Sequence, residues 1–308
     1  MAMRFDLIGA GVLAPGIGSI DQLIEIATMG RPPPSVAATA TTDDRSSRWG
    51  ASSVQPPAPF AAPPSPALPA NERRRASAVV RLVLACAQQA LARRPERADS
   101  VRLVFAADEG VGDVCQAMLE ALAHYRPLSP LVFANSVHNA PSGYFSIAHG
   151  NQRPATSLSL GEQSFACGLL SAVAEAQSTR QPVLFLNYDT PMPMPLRSLL
   201  PIGQPSASAW LIVASGANAG GGAADRPLAT FTAELVEARR SDGCDPLEAA
   251  PPRASLDHRP AWLQGCLAAN SSALGIAALG LLATTNAVRH YSLGRQVLRL
   301  SRVACSAL

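Results

Sequence analysis

Residues 156–187, TSLSLGEQSFACGLLSAVAEAQSTRQPVLFLN, decide the fold. Thr156 to Leu160 alternates apolar with polar residues, the pattern of a half-buried strand. From Glu162 to Gln177 apolar residues return at helical spacing, and Pro182 to Asn187 is a continuous apolar run that predicts a buried strand. Strand, helix and strand at these lengths form a β-α-β unit, so the chain is read as α/β rather than all-α or all-β.

The same reading extends in both directions. RFDLIGAG (4–11) predicts a strand ending in glycines, followed by a helix from Ser19 to Met29. Residues 31–70 hold ten prolines between Pro32 and Pro69, a composition that sustains neither a ladder nor a helix, and read as a long irregular excursion. One helix is expected over 71–94, a strand over 101–106 and a helix from Asp113 to His124. Leu131-Val132-Phe133 is expected to be extended and Gly143 to His149 a short helix. Ala207 to Ala214 and Ala229 to Val236 read as strands of a hairpin joined by GANAGGGAAD (216–225). The order predicts helices layered over a mixed sheet.

Composition excludes several functions. The chain has 308 residues, 48% of them hydrophobic and 15% charged, with a net charge of +3, so no footprint of nucleic-acid binding is present. The one dense basic run, Arg73-Arg74-Arg75, reads as a solvated turn. The six cysteines (86, 115, 167, 244, 266 and 305) form no CxxC pair, and no histidine has metal-ligand spacing, so neither a disulfide framework nor a metal is expected. A reducing cytoplasm fits this usage, and the first residues lack the apolar core of a signal peptide. CLAANSSALGIAALGLLATT (266–285) is interrupted by Asn270-Ser271-Ser272 and is too short to span a bilayer, so a buried helix is expected there.

Three motifs resemble active-site chemistry. GAGVLAPG (9–16) departs from G-x-G-x-x-G, lacks the acidic residue of a dinucleotide fold, and is read as a tight turn after the strand. Within the deciding stretch, Cys167 lies inside an apolar helical face, where burial makes a thiol inert. Ser164 lacks the G-x-S-x-G of a nucleophile elbow. Glu162 supports two readings. Ser159-x-x-Glu162 fits a capping box, and a helix N-terminus is also where the dipole would activate a nucleophile. In SVHNAPSGYFSIAHG (136–150), His138, Asn139, Ser142 and His149 could line a cleft or satisfy local backbone.

Several stretches, in order, resemble the N-terminal half of a β-ketoacyl synthase of the thiolase-fold superfamily. They are RFDLIGAGVLAPGIGSIDQLIEIATMGRPP, LPANERRRASAVVRLVLACAQQALA, ANSVHNAPSGYFSIAHGNQRPATSLSLGEQSFACGLLSAVAEA, SASAWLIVAS and PLATFTAELVEA. Together they cover roughly residues 3–240. The resemblance implies a layered α/β/α fold, with a synthase-like domain over 1–250 and a short helix-and-strand remnant of the second half over 251–308. It also implies that Glu162 stands where active synthases carry their cysteine, counting back from RQPVLFLN (180–187). Gly161-Glu162 is then similar to the Gly-Gln of chain-length factors, the silent partners of ketosynthases.

NSSALGIAALG (270–280) is similar to the segment bearing the last catalytic histidine, with Ile276 in its place, and His258 and His290 have no matching surroundings. The implied protein is a non-catalytic partner of a full-length ketosynthase in fatty acid, polyketide or aryl-polyene-type biosynthesis, without cofactor, able to meet an acyl carrier protein. The alternatives are an acyl-thioester enzyme using Glu162 as general base, or a carrier-binding homodimer. By the same resemblance, Ala155 to Leu160 lies at a dimer interface. Phe133, Asn135, His138, Asn139, Tyr144, Ser164 and Phe165 are the candidates for pocket lining or partner contact.

Overall fold

The computed structural model describes residues 2–29, 64–216, 226–237, 270–284 and 287–303. The Pro-rich excursion up to residue 63, residues 217–225 of the glycine-rich connection, His258, and Cys244, Cys266 and Cys305 lie outside the described residues.

The element order is β1 (Ala2–Leu13), α1 (Ile20–Met29), α2 (Ala70–Arg75), α3 (Ala78–Leu91), β2 (Arg102–Ala106) and α4 (Gly112–Ala123). Then come α5 (Pro130–Asn135), α6 (Ala140–His149), β3 (Ala155–Leu158), α7 (Ser164–Thr179), β4 (Val183–Asp189) and β5 (Ser206–Ala214). Last are β6 (Ala229–Glu237), α8 (Ala273–Leu279), β7 (Val288–Leu293) and β8 (Gln296–Arg302). Among the described residues the strands form one eight-stranded sheet, ordered β3-β2-β4-β5-β1-β6-β8-β7. β3, β2 and β4 run parallel and the remaining pairs antiparallel.

The alternating faces of this sheet feed two cores. On β5, Trp210 and Ile212 join the apolar cluster with α1, α7 and α8, while Ala209, Leu211 and Val213 join the cluster with α3 and α6. The result is an α/β/α sandwich, with β4 and β5 buried along their whole length between two helical layers.

β1 runs through its glycines instead of ending at them. The register slips between Leu7 and Gly9, leaving Ile8 as the extra residue of a β-bulge. This switches which residues face α1, so that Phe5 and Leu7 before the bulge and Ala10 and Val12 after it reach the same core. Gly9 and Gly11 then face α3 at close range. A Cβ on either would meet the carbonyl oxygen of Ala90 at 2.0 Å or of Cys86 at 2.2 Å. The glycines of GAGVLAPG therefore serve helix–strand packing, and the turn comes later, at the Ala14–Ile17 bridge.

Four other expectations are corrected. The helix over 71–94 is two helices, because Ala76 is extended and Ser77 starts a new one as its N-cap, accepting from the Val80 amide. Leu131-Val132-Phe133 is helical, in the one-and-a-half-turn α5 begun by Pro130. β5 and β6 are not a hairpin: each pairs with β1, which lies between them. The strand expected to run to Leu160 ends at Leu158.

The apolar stretch near residue 280 is a short buried helix, α8, continued by a 3-10 turn over Gly280–Ala283. Among the described residues no helix is long and apolar enough to cross a membrane. β7 and β8 extend the same sheet through β6.

Candidate active-site region

The carboxyl ends of the parallel strands β2, β3 and β4 converge with the start of α8, and there an otherwise apolar interior becomes polar. Asp189, fully buried at the end of β4, accepts the backbone N–H groups of Asp108, Glu109 and Gly110, each at 3.1 Å. The Ser271 hydroxyl donates to its second oxygen at 3.4 Å. One carboxylate thus ties the turn after β2 to the start of α8. Burial pushes the Asp189 carboxyl up to about 7, against the pull of its backbone donors.

Beside it, Asn187 of β4 donates to the Ala106 carbonyl at 3.1 Å. Asn270 donates to the Gln204 carbonyl and the Ser206 hydroxyl, both at 3.0 Å, and accepts from the Ser272 amide at 2.9 Å. The interruption Asn270-Ser271-Ser272 is therefore what ties α8 to the strand ends. α8 sits close enough that a Cβ on Gly275 would meet the Ser208 hydroxyl at 2.1 Å.

Glu162 occupies the head of α7, in a 3-10 turn over Gly161–Gln163 that follows Gly161 in the left-handed region at φ +58°. Its side chain points outward, exposed to solvent. The residue before this turn is Leu160, and no side chain caps it, so the capping box is corrected. Ser159 instead donates its hydroxyl to the Asp108 carbonyl at 2.7 Å. Ser164 accepts from the Leu160 amide at 2.9 Å and donates to the Ala107 carbonyl at 3.0 Å. These two serines bind the elbow to the end of β2.

Asp108 lies near Glu162, and its carboxyl is raised first by burial and then by the Glu162 charge, with the Ser271 hydroxyl opposing. The head of α7 is thus an acidic corner. A carboxylate there cannot form the thioester that a cysteine would. Cys167 is half-buried, and burial raises its thiol, so it is not an activated nucleophile. Ile276 is fully buried on α8 and brings no proton-transfer group.

The remaining candidates separate into interior and surface. Phe165 is at the centre of an aromatic cluster, its ring centroid 5.0 Å from Tyr291, 5.9 Å from Phe185 and 6.2 Å from Trp210. Phe165 and Ser164 are both fully buried and belong to the core, not to a surface. Tyr144 packs half-buried on the core beneath α3 and α6. Asn135 is buried and donates to the carbonyls of Arg75 and Leu131. His138 Nε2 lies 2.9 Å from the Leu158 carbonyl, so the ring holds its proton there and braces the end of β3.

Asn139 is exposed, and its carbonyl accepts the Ser142 hydroxyl. His149 packs against Phe145 with 4.6 Å between centroids. Phe133 is 58% exposed, and Val137 and Leu160 are exposed apolar side chains as well. A cleft of about 220 Å³ opens between Asp113, Val114 and Ala117 of α4 and Leu131, Val132 and Asn135 of α5. The sequence reading does not single out Asp189, and it takes Asn270-Ser271-Ser272 as an interruption of an apolar run without assigning those side chains a tether. The only signal was polar residues at the ends of apolar runs.

The model of the β-ketoacyl synthase N-terminal domain matches residues 47–249, well over half of the chain. No curated protein sequence matches. Among solved structures, the ketosynthase ApeO in complex with its chain length factor ApeC, from Xenorhabdus doucetiae, is similar at 19% identity. The TM-score is 0.61, over 97% of this chain and 100% of that one. The ishigamide ketosynthase/chain length factor is similar at 14% identity and TM-score 0.63, over 98% and 100% of the two chains. A type II acyl-carrier protein in complex with its ketosynthase (AntDE:AntF) is similar at 13% identity and TM-score 0.64, over 99% and 100%. The chain belongs to the β-ketoacyl synthase family, through its N-terminal domain, and has its thiolase-like fold.

Proposed function

We propose that the chain is a non-catalytic, chain-length-factor-like partner of a β-ketoacyl synthase, acting in fatty acid, polyketide or aryl-polyene-type biosynthesis. The observation that carries the reading is Glu162 at the head of α7, where the resemblance puts the acylated cysteine. An exposed carboxylate beside Asp108 offers no thioester chemistry, and its charge opposes a malonyl carboxylate. The fully buried Ile276 removes a second catalytic group.

The partner-facing surface in this reading is the β3 edge, Ala155 to Leu160, with the exposed Phe133 and Val137 as further contacts. The cleft between α4 and α5 helps to limit chain length, and an acyl carrier protein reaches the complex through the synthase. Residues 1–250 form the synthase-like domain, and 251–308 complete it.

Co-expression with the partner synthase tests this. The chain alone self-associates or aggregates, and with the synthase it elutes as a soluble heterodimer that condenses acyl units. Glu162→Ala leaves that activity in place. A chain that binds no synthase, or one that turns over acyl thioesters by itself and loses that activity in Glu162→Ala, overturns the reading.

A further inference from the structure

The cleft between α4 and α5 combines apolar walls with an unpaired polar atom. Val114, Ala117, Leu131 and Val132 line its volume of about 220 Å³, and Ser77, Asp113 and Asn135 supply its polar groups. That volume is below the roughly 300–1,000 Å³ of a site for a whole small molecule, so it suits one end of a longer one.

Asn135 is 4% exposed. Its Nδ2 donates to the carbonyls of Arg75 at 3.2 Å and of Leu131 at 3.0 Å. Carbonyls only accept, so the side-chain amide cannot turn over, and Oδ1 is the atom left for another partner. That oxygen is buried and has no hydrogen-bond partner among the described residues. Leaving a buried acceptor unpaired is costly, and a donor brought by a ligand relieves the cost.

The other two polar groups already accept hydrogen bonds. The Ser77 hydroxyl accepts from the Val80 amide at 3.5 Å, and Asp113 accepts from the Val114 amide at 2.9 Å. Asp113 is exposed, so its charge stays in water, and Asn135 offers a neutral acceptor. A neutral O–H matches that acceptor, whereas an ammonium gives up its hydration for an uncharged partner.

We infer that this cleft takes the far end of an acyl chain that carries a hydroxyl, and that Asn135 Oδ1 is the group that reads it. The inference deepens the proposed role of the cleft in chain length, and rests on that reading for the acyl chain. Methylenes pack on Val114, Ala117, Leu131 and Val132, and the terminal O–H donates to Oδ1. A chain ending in a methyl leaves the oxygen unpaired and is held less well. Asn135 thus makes the site selective for what the chain ends in, beyond how long it is.

Saturation-transfer NMR with the full chain reads this without a synthase and tolerates self-association. The probes are n-pentanol and its isomer butyl methyl ether, which have the same atoms and differ in the O–H. The alcohol binds on the order of tenfold more tightly than the ether, and more tightly than pentylammonium. Ala117→Phe, at an exposed position, fills the cleft and abolishes binding of both isomers. Asn135→Leu keeps the ether and loses the preference for the alcohol. If loss of its two donated bonds unfolds that variant, the isomer pair and Ala117→Phe decide the matter.

Equal affinity for the isomers, tighter binding of pentylammonium, or a preference that persists in Ala117→Phe overturns the inference and leaves the partner reading standing. The acyl chain is tested in the synthase complex, which elongates a thioester with a terminal hydroxyl in preference to its methyl-ended counterpart and loses that preference with Ala117→Phe. A complex indifferent to the hydroxyl overturns the acyl occupant, while the heterodimer keeps the proposed function. A chain that prefers the alcohol yet pairs with no synthase overturns the proposed function and the acyl chain with it, while the hydroxyl-reading cleft stands.

Discussion

Replacing Phe165 by alanine tests whether the chain has one cooperative core that includes its C-terminal strands. Phe165 lies in the first turn of α7, yet its ring is fully buried against Phe185 of β4, Trp210 of β5 and Tyr291 of β7. It also closes on α8, where a Cβ at Gly275 would approach its ring at 3.2 Å. Truncation removes a buried aromatic side chain and leaves a cavity whose walls belong to four elements and cannot collapse together. Lost transfer energy and the residual void together cost about 3–5 kcal/mol, a large share of the roughly 5–15 kcal/mol that holds a domain folded.

Urea unfolding followed by circular dichroism measures the loss, with the m-value expected to stay constant. The pair Phe165→Leu and Tyr291→Leu, taken through a double-mutant cycle, should show a coupling of about 0.5–1.5 kcal/mol. A cost for Phe165→Ala below about 1 kcal/mol, or zero coupling to Tyr291, would refute the reasoning. It would mean that β7 and β8 are an appendage and not part of the core.

Two further outcomes follow from close packing and from charge burial. Gly9→Ala drives a methyl into the Ala90 carbonyl, so α3 must move off β1; a loss of about 1–3 kcal/mol or more is expected in the same unfolding assay. Asp189 has a carboxyl raised to about 7 in the fold by burial. A raised carboxyl favours the protonated folded form, so its contribution to stability is complete below about pH 4 and is lost as pH rises through 7. Asp108 shifts in the same direction. Stability should therefore fall from pH 4 to 7, by at most about 1.4 kcal/mol per unit for one proton. Asp189→Asn, which keeps an acceptor for the three amides, should flatten that slope; an unchanged slope would place the titration elsewhere.

The strands and long helices were legible because their patterns are local. β4 and β5 are continuous apolar runs since both faces of the sheet are covered. α7 keeps its period because one face meets the sheet. α5 was misread because six residues after a proline hold too few turns to show a period. The β5–β6 hairpin was misread because nearness in sequence says nothing about a strand that arrives from the far end of the chain. β1 fits between them because its bulge lets both of its segments present apolar residues to the same core. The capping box failed for a similar reason, since Ser159 finds its partner at Asp108, across the β2–β3 ladder.

The sequence by itself determined the α/β class, the strand–helix–strand around Glu162, the absence of a cysteine at the head of that helix, and the family resemblance. These depend on residue identity and on periodicity within a few turns. Only the tertiary structure decided that Glu162 faces Asp108, that Asp189 fastens three backbone amides beneath them, and that Phe165 joins the first half of the chain to β7. It also decided that β3 ends the sheet among the described residues. Those are relations between residues distant in sequence, fixed by strand order and by which groups must find hydrogen-bond partners once water is excluded.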